Sequence, residues 1–314
     1  MRRFLVVLLC VSVVTNLVLG GFLIWDRGFA NTTNPTLNEE ALQAQIEQME
    51  ATIAALEQQR ADLLHRLRSE SEPVLTPPSA PATEPGPDET VYNWYFVRNQ
   101  EHRPPSTDAR YVAMLEGHGH YLGSTDQKAI YLTFDAGYEN GLTAGILDTL
   151  RDNGVPAAFF LTGGYVQQNQ ELVTRMAREG HVLGNHSMDH PSMPKISNEK
   201  IRTEITGVHQ LVKNLTGEEM RHFRPPYGQL NGRVLELASQ LGYTTVFWSM
   251  AYRDWEVDNQ PGAEVAYRHV LDNVHNGAVI LLHNVSSSNA EALDRIIKDL
   301  KAQGYRFAGL DDVR

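Results

Sequence analysis

The sequence predicts an α/β body of about seven βα units, entered through an apolar amino-terminal segment and a helical rod. Three observations carry that prediction. From Ala129 onward, short apolar, β-branched or aromatic runs alternate with amphipathic stretches of helical length, and strands that are apolar throughout belong to parallel sheets covered on both faces. The amphipathic stretches are followed by Gly154, Gly180, Gly217, Gly242, Gly277 and Gly304, the residue type that most readily turns left-handed past a helix end. Residues 4–25 hold no charged side chain, and Arg2 and Arg3 stand directly before them.

Residues 1–30 are expected to form a cytoplasmic tip and a transmembrane anchor. At about 1.5 Å per residue, the stretch from Phe4 to Trp25 is long enough to cross a ~30 Å apolar core. The two arginines keep the amino terminus inside, so the rest of the chain lies outside the cytoplasm as a single-pass membrane protein. The alternative is a signal peptide with its apolar region at Phe4–Val14 and cleavage near Gly28-Phe29-Ala30. Cys10, the single cysteine, excludes an intrachain disulfide and reads as a buried apolar residue.

Residues 36–71 are expected to form a coiled-coil helix. Thr36 and Glu39 make a capping box, and Leu42, Met49, Leu56 and Leu63 recur as d positions with Ile46 and Ile53 at a. Isoleucine at a with leucine at d favours a parallel two-stranded coil, and Arg60 at a further a position opposes higher-order packing. A parallel homodimer is therefore expected; an amphipathic helix lying on the body is the alternative. Residues 72–89 carry six prolines between Pro73 and Asp88 and read as a semi-extended linker. The body then occupies residues 90–314.

Within the body, strands are expected at Ala129–Phe134, Ala157–Leu161, Val182–Leu183, Thr244–Met250 and Ala278–Leu282, with weaker ones at Phe223–Pro225 and Tyr305–Leu310. Helices are expected at Leu142–Asn153, Gln170–Glu179, Asn198–Leu215, Arg233–Leu241, Glu264–Val274 and Ala290–Gln303. An open doubly wound sheet and a closed (β/α) barrel both satisfy this periodicity. A net charge of −11, with no basic stripe, argues against nucleic acid as a partner.

Polar residues gather where the strands end. Asp135 follows Phe134 directly, a rigid station for a general base. His186 and His190, four apart, can share one ion of the kind imidazole suits. Arg224 opens a stiff Pro225-Pro226 turn leading to Tyr227 and Gly228. Asp254-Trp255 and His283 close the fifth and sixth strands.

These strand ends resemble a family. Thr133-Phe134-Asp135-Ala136-Gly137, His186-Ser187-Met188-Asp189-His190, Arg224-Pro225-Pro226-Tyr227-Gly228, Asp254-Trp255 and Leu281-Leu282-His283 resemble the five ordered motifs of the polysaccharide deacetylases, carbohydrate esterase family four. The stretches Asn93-Trp94-Tyr95-Phe96, Gly137–Gly141, Val246-Phe247-Trp248-Ser249 and Asn289–Asp294 look most like the branch that deacetylates N-acetylmuramic acid on the way to the muramic δ-lactam of spore cortex.

The resemblance implies a distorted (β/α) barrel and a hydrolase acting on N-acetyl groups of peptidoglycan glycan strands. Asp135 would be the base and His283 the acid, His186 and His190 would hold a divalent metal ion, zinc or similar, and the Tyr227 backbone N–H would receive the oxyanion. Arg224 would keep Asp135 ionised through a bidentate contact, while Trp255, Leu281, Asp254 and Trp94 would meet substrate. Two departures accompany it: Ala136 replaces a metal-ligating acid, so the ion is expected to be weakly held unless Asp189 or Glu139 contributes, and Ala251 replaces the acid that tunes the catalytic histidine. Alternatives are a deacetylase of N-acetylglucosamine or another acetylated glycan, and a catalytically dead, membrane-tethered wall-binding protein.

Overall fold

The computed structural model describes residues 89–99 and 101–313. The expected anchor and coil lie outside the described residues, as does the linker up to Asp88; among the described residues no helix is long and apolar enough to cross a membrane. In chain order the elements are β1 (Tyr92–Asn93), α1 (Ala109–Leu115), β2 (Gly119–His120), β3 (Ala129–Ala136), α2 (Thr143–Asp152), β4 (Ala157–Leu161), α3 (Gly163–Gln168), α4 (Gln170–Arg178), β5 (Val182–Asn185), α5 (Asn198–Thr216), β6 (His222–Phe223), β7 (Gln229–Leu230), α6 (Gly232–Gln240), β8 (Thr244–Val246), α7 (Ala263–Asn273), β9 (Ala278–His283), α8 (Ser287–Ala302) and β10 (Arg306–Phe307).

Every residue of β3 is buried, and its alternation sorts them into two layers. Ile130, Leu132, Phe134 and Ala136 join the large cluster shared with the helices, whereas Ala129 and Tyr131 join Ala158, Phe160, Val246 and Val279. The first set meets the helical layer and the second fills the inside of a curled sheet, because successive strand side chains point to opposite faces.

The sheet runs β10-β3-β4-β5-β6-β8-β2, with β9 also paired to β3, and all of these pairings are parallel. β10 pairs with the first two residues of β3 and β4 with the last five, so both share one edge while β9 occupies the other. Past Val246 the chain changes partner: the N–H groups of Ser249 and Met250 donate to the Val279 carbonyl at 3.0 and 3.3 Å, and Leu281 N–H donates to the Met250 carbonyl at 2.9 Å. The expected strand Thr244–Met250 is therefore two pieces serving different neighbours. This exchange brings the β8 side of the sheet round to β9, and the result is a curled, barrel-like parallel sheet rather than an open one.

The expected helices are present within a few residues at their ends, and all six punctuating glycines have φ between 60° and 86°. Gly217 shows why: it caps α5 at φ 81° with its N–H on the Lys213 carbonyl, a conformation that strains any residue bearing a Cβ. α8 starts at Ser287 instead of Ala290 because the Ser286 side chain accepts from Asn289 N–H. β1, β2, β7, α1 and α3 went unanticipated; the strands among them are two residues long, too short to display a period.

Candidate active site

Parallel register places the first two functional residues side by side. Asp135 on β3 is the direct partner of His283 on β9, and paired residues on neighbouring strands share a face. Arg224 follows β6 and reaches across the interior, wholly buried. One of its N–H groups donates to Asp135 Oδ1 at 2.7 Å and to Thr133 Oγ1 at 3.0 Å, and its Nε donates to the Val246 carbonyl at 3.0 Å. The expected bidentate contact is thus a single hydrogen bond, because the rest of the guanidinium is spent on the barrel wall. Its carbon lies 4.0 Å from the centre of the Phe160 ring, a cation–π contact sheltered from water. Gly184 makes room for that ring: a Cβ there would come within 2.5 Å of Phe160.

Burial works against the charge on Asp135, but Arg224, with His186 and His283 behind it, prevails and holds the carboxyl below its usual value. His283 is tuned the other way. Its Nδ1–H donates to Asp254 Oδ1 at 2.7 Å, and its backbone N–H donates to Asp254 Oδ2 at 2.8 Å. Burial disfavours the imidazolium, yet the Asp254 hydrogen bond and charge outweigh burial and raise the histidine. Asn289 Nδ2 donates to Asp254 Oδ2 at 2.6 Å, and the Tyr252 hydroxyl in turn donates to Asn289 Oδ1. A carboxyl shifted down stands beside an imidazole shifted up.

The His186–His190 loop bends through two left-handed non-glycine residues, Ser187 at φ 67° and His190 at φ 54°. It is held by Ser187 N–H on Asn185 Oδ1 at 2.9 Å, His190 N–H on Ser187 Oγ at 3.1 Å and Asp189 N–H on Glu204 Oε2 at 2.8 Å. Glu204, a completely buried carboxylate on α5, had no signature in the sequence beyond its place on a helix face.

Imidazole geometry tests the implied metal. His186 Nδ1 lies 2.7 Å from the Arg224 carbonyl, which assigns it the proton and leaves Nε2 a bare lone pair. That Nε2 faces His190 Nε2 at 3.2 Å. Burial pushes both rings down, His190 to about 4 with His186 adding to the effect, so the rings are neutral imidazoles, and with His190 in its Nδ1–H tautomer the two Nε2 lone pairs would together suit a cation. No set of three His, Cys, Asp or Glu side chains converges on one ion among the described residues. Asp189 is exposed and paired with Lys200. Glu139 caps α2, accepting from Gly141 N–H, Thr143 N–H and the Tyr165 hydroxyl, so neither carboxylate completes the site. Among carboxylates, Asp135 Oδ2 lies 3.5 Å from His186 Nε2, and Ala136 is buried against the helical layer.

Tyr227 sits in the turn after Arg224 at φ 60°, a conformation that costs a non-glycine residue roughly 1–2 kcal/mol; its ring packs edge-on to His190. Trp255 is half exposed with its ring centre 5.6 Å from that of His283, and Leu281 pairs with Thr133 one layer beneath. Two expectations fail. Asp254 is buried with its carboxylate bonded to His283 and Asn289, so it faces the histidine and not the open side of the site. Trp94 is buried against Phe247 and Tyr111, donates from Nε1 to the Trp248 carbonyl and from its backbone to the Gly228 carbonyl at 2.8 Å. It braces the Tyr227 turn from behind.

Residues 122–246 match the polysaccharide deacetylase family. The chain is 43% identical over 242 residues, 76% of its length and 92% of the relative's, to the peptidoglycan-N-acetylmuramic acid deacetylase PdaA of Bacillus subtilis (strain 168). It is 38% identical over 186 residues, 59% of its length and 39% of the relative's, to the peptidoglycan-N-acetylglucosamine deacetylase PgdA of Listeria monocytogenes serotype 1/2a (strain 10403S). The solved structure of Bacillus subtilis PdaA, a family 4 carbohydrate esterase, superposes with a TM-score of 0.70 at 44% identity, covering 72% of this chain and 97% of that one. With Asp135, His283, Arg224 and the paired histidines assembled at the ends of such a sheet, the chain belongs to the polysaccharide deacetylase family.

Proposed function

We propose that the protein hydrolyses N-acetyl groups on peptidoglycan amino sugars, with N-acetylmuramic acid as its main substrate. The single observation that carries the catalytic part is the direct pairing of Asp135, ion-paired with Arg224, with a His283 whose ring Nδ1 is held by Asp254. Asp135 takes a proton from water, whose oxygen bonds to the acetyl carbonyl carbon as the carbonyl electrons move onto its oxygen. The Tyr227 N–H receives that oxyanion. Collapse breaks the C–N bond while His283 gives its proton to the departing nitrogen, leaving acetate and a free amine. Arg224 orients Asp135 and preserves its charge, and Trp255 and Leu281 wall the acetyl methyl. A divalent ion held by His186 and His190 would supply Lewis-acid polarisation of the water and carbonyl when bound.

The preference for N-acetylmuramic acid rests on the 43% identity that extends over 92% of the muramic acid deacetylase. A freed amine on that sugar lies within ring-closing reach of its own lactyl carboxyl, which suits a δ-lactam product and a place in spore cortex assembly. A dead wall-binding barrel is disfavoured, since binding alone needs neither a tuned base nor a tuned acid. The charge-free Phe4–Trp25 segment supports a membrane-anchored protein whose 90–314 domain acts outside the cytoplasm. The 36–71 heptads support a parallel homodimer, and the 72–89 linker gives each barrel reach over an immobile polymer. Incubation with peptidoglycan, with and without stem peptides, followed by mass spectrometry of the muropeptides, should show loss of acetyl from muramic residues. Asp135→Asn should cost roughly 10²–10⁴-fold in acetate release; near-normal release by that variant, or loss of acetyl confined to glucosamine, would overturn the assignment.

A further inference from the structure

We propose that Tyr138 is a stacking platform for the pyranose next to the one being deacetylated, an inference that rests on reading the chain as a glycan deacetylase. Tyr138 is three residues past Asp135, on the loop joining β3 to α2, and half of it is exposed. An exposed tyrosine on a mobile loop would mean little. This loop is clamped.

Asn284 Nδ2, immediately after His283, donates to the Tyr138 carbonyl at 3.1 Å, and Asn140 Nδ2 donates to the Val285 carbonyl at 2.8 Å. Between them Glu139 accepts from Gly141 N–H at 2.7 Å, Thr143 N–H at 3.2 Å and the Tyr165 hydroxyl at 3.0 Å, and from the Thr143 hydroxyl. Gly141, at φ 89°, lets the chain turn back into the helix so that Glu139 can reach these donors and Asn284 Nδ2 as well. The loop after the base is thereby tied to the loop after the acid. The aromatic residue between these tethers is half exposed.

With the backbone at its root held, only the rotation of the side chain is left for binding to remove. The ligand that suits it is set by its shape: a pyranose offers a flat face of C–H groups to an aromatic plane and a rim of hydroxyls to the phenol. Trp255, exposed to a similar extent beside His283, offers a second such face. The acid–base pair therefore has flat aromatic surface next to both of its loops, as a site for one sugar within a longer strand requires.

The test uses the full chain carrying Asp135→Asn, so that strands are bound and not consumed, with calorimetric titration of peptide-free peptidoglycan glycan strands. Adding Tyr138→Ala should weaken strand affinity about tenfold, and Tyr138→Phe should stay within about twofold of its parent. In the otherwise unaltered chain, the Tyr138→Ala penalty should fall on KM instead of kcat. Equal affinity for Tyr138→Ala and its parent, with thermal midpoints matched, overturns the platform. So does a Tyr138→Phe as weak as Tyr138→Ala, which would assign the contact to the hydroxyl. No acetate release from glycan strands by the unaltered chain would instead refute the deacetylase reading and leave the binding comparison to decide Tyr138.

Discussion

Asp254 holds His283 at two points, Oδ1 on the ring Nδ1–H at 2.7 Å and Oδ2 on the backbone N–H at 2.8 Å. The carboxylate therefore fixes the tautomer and the position of the ring together, presenting Nε2 to the site. Asn289 fastens it from behind. A positioned acid of this kind donates to a leaving amine without first searching for an orientation.

The sign of the resulting pH dependence follows from the direction of the shift. His283 is raised above its ordinary value, so it remains the acid at pH values where a free histidine has lost its proton, and activity falls as pH rises through the raised value. Asp254→Asn removes the charge, and the alkaline limb of kcat/KM should move to lower pH with a fall in rate. An alkaline limb unmoved in that variant would show that another group sets it.

Metal affinity should be modest. Catalytic zinc sites ordinarily use about three protein ligands, whereas the facing nitrogens of His186 and His190 are two. Calorimetry of chelator-stripped protein with zinc should give one weak site that His190→Ala abolishes. Stoichiometric metal surviving mild chelation and dialysis would mean that a further ligand, with Asp135 the nearest carboxylate, joins them.

Gly184→Ala tests the support beneath the base. The added methyl would press on the Phe160 ring at 2.5 Å, and Arg224 rests on that ring at 4.0 Å. Overpacking of this sort costs about 1–3 kcal/mol. Thermal unfolding should register the loss, and acetate release should fall further than an equally destabilising change on the far side of the sheet. Unchanged stability would show that Phe160 can yield freely.

The heptad argument predicts that residues 31–314 sediment as a dimer and residues 90–314 as a monomer. Ile53→Lys, placing charge in the seam, should dissociate the longer species. Two monomers at tens of micromolar would reduce residues 36–71 to a spacer.

From the sequence alone came the α/β class, the order of the principal strands and helices, and the chemistry-bearing residues at their ends. Apolar runs, periodic faces and glycine stops are local signals; Asp135 and His283 directly follow such runs, Arg224 lies within one, and His186 and His190 stand in the loop after another. What the sequence could not express was which residue faces which across the sheet. That Asp254 serves His283, that Arg224 reaches Asp135 through one hydrogen bond, and that Glu204 holds the histidine loop are relations between residues 15 to 89 positions apart. Trp94 shows the same limit: its motif looked like the substrate side, but packing on Phe247 and Tyr111 turned it inward. Strand register and side-chain burial depend on long-range pairing, which only the closed-up sheet determines.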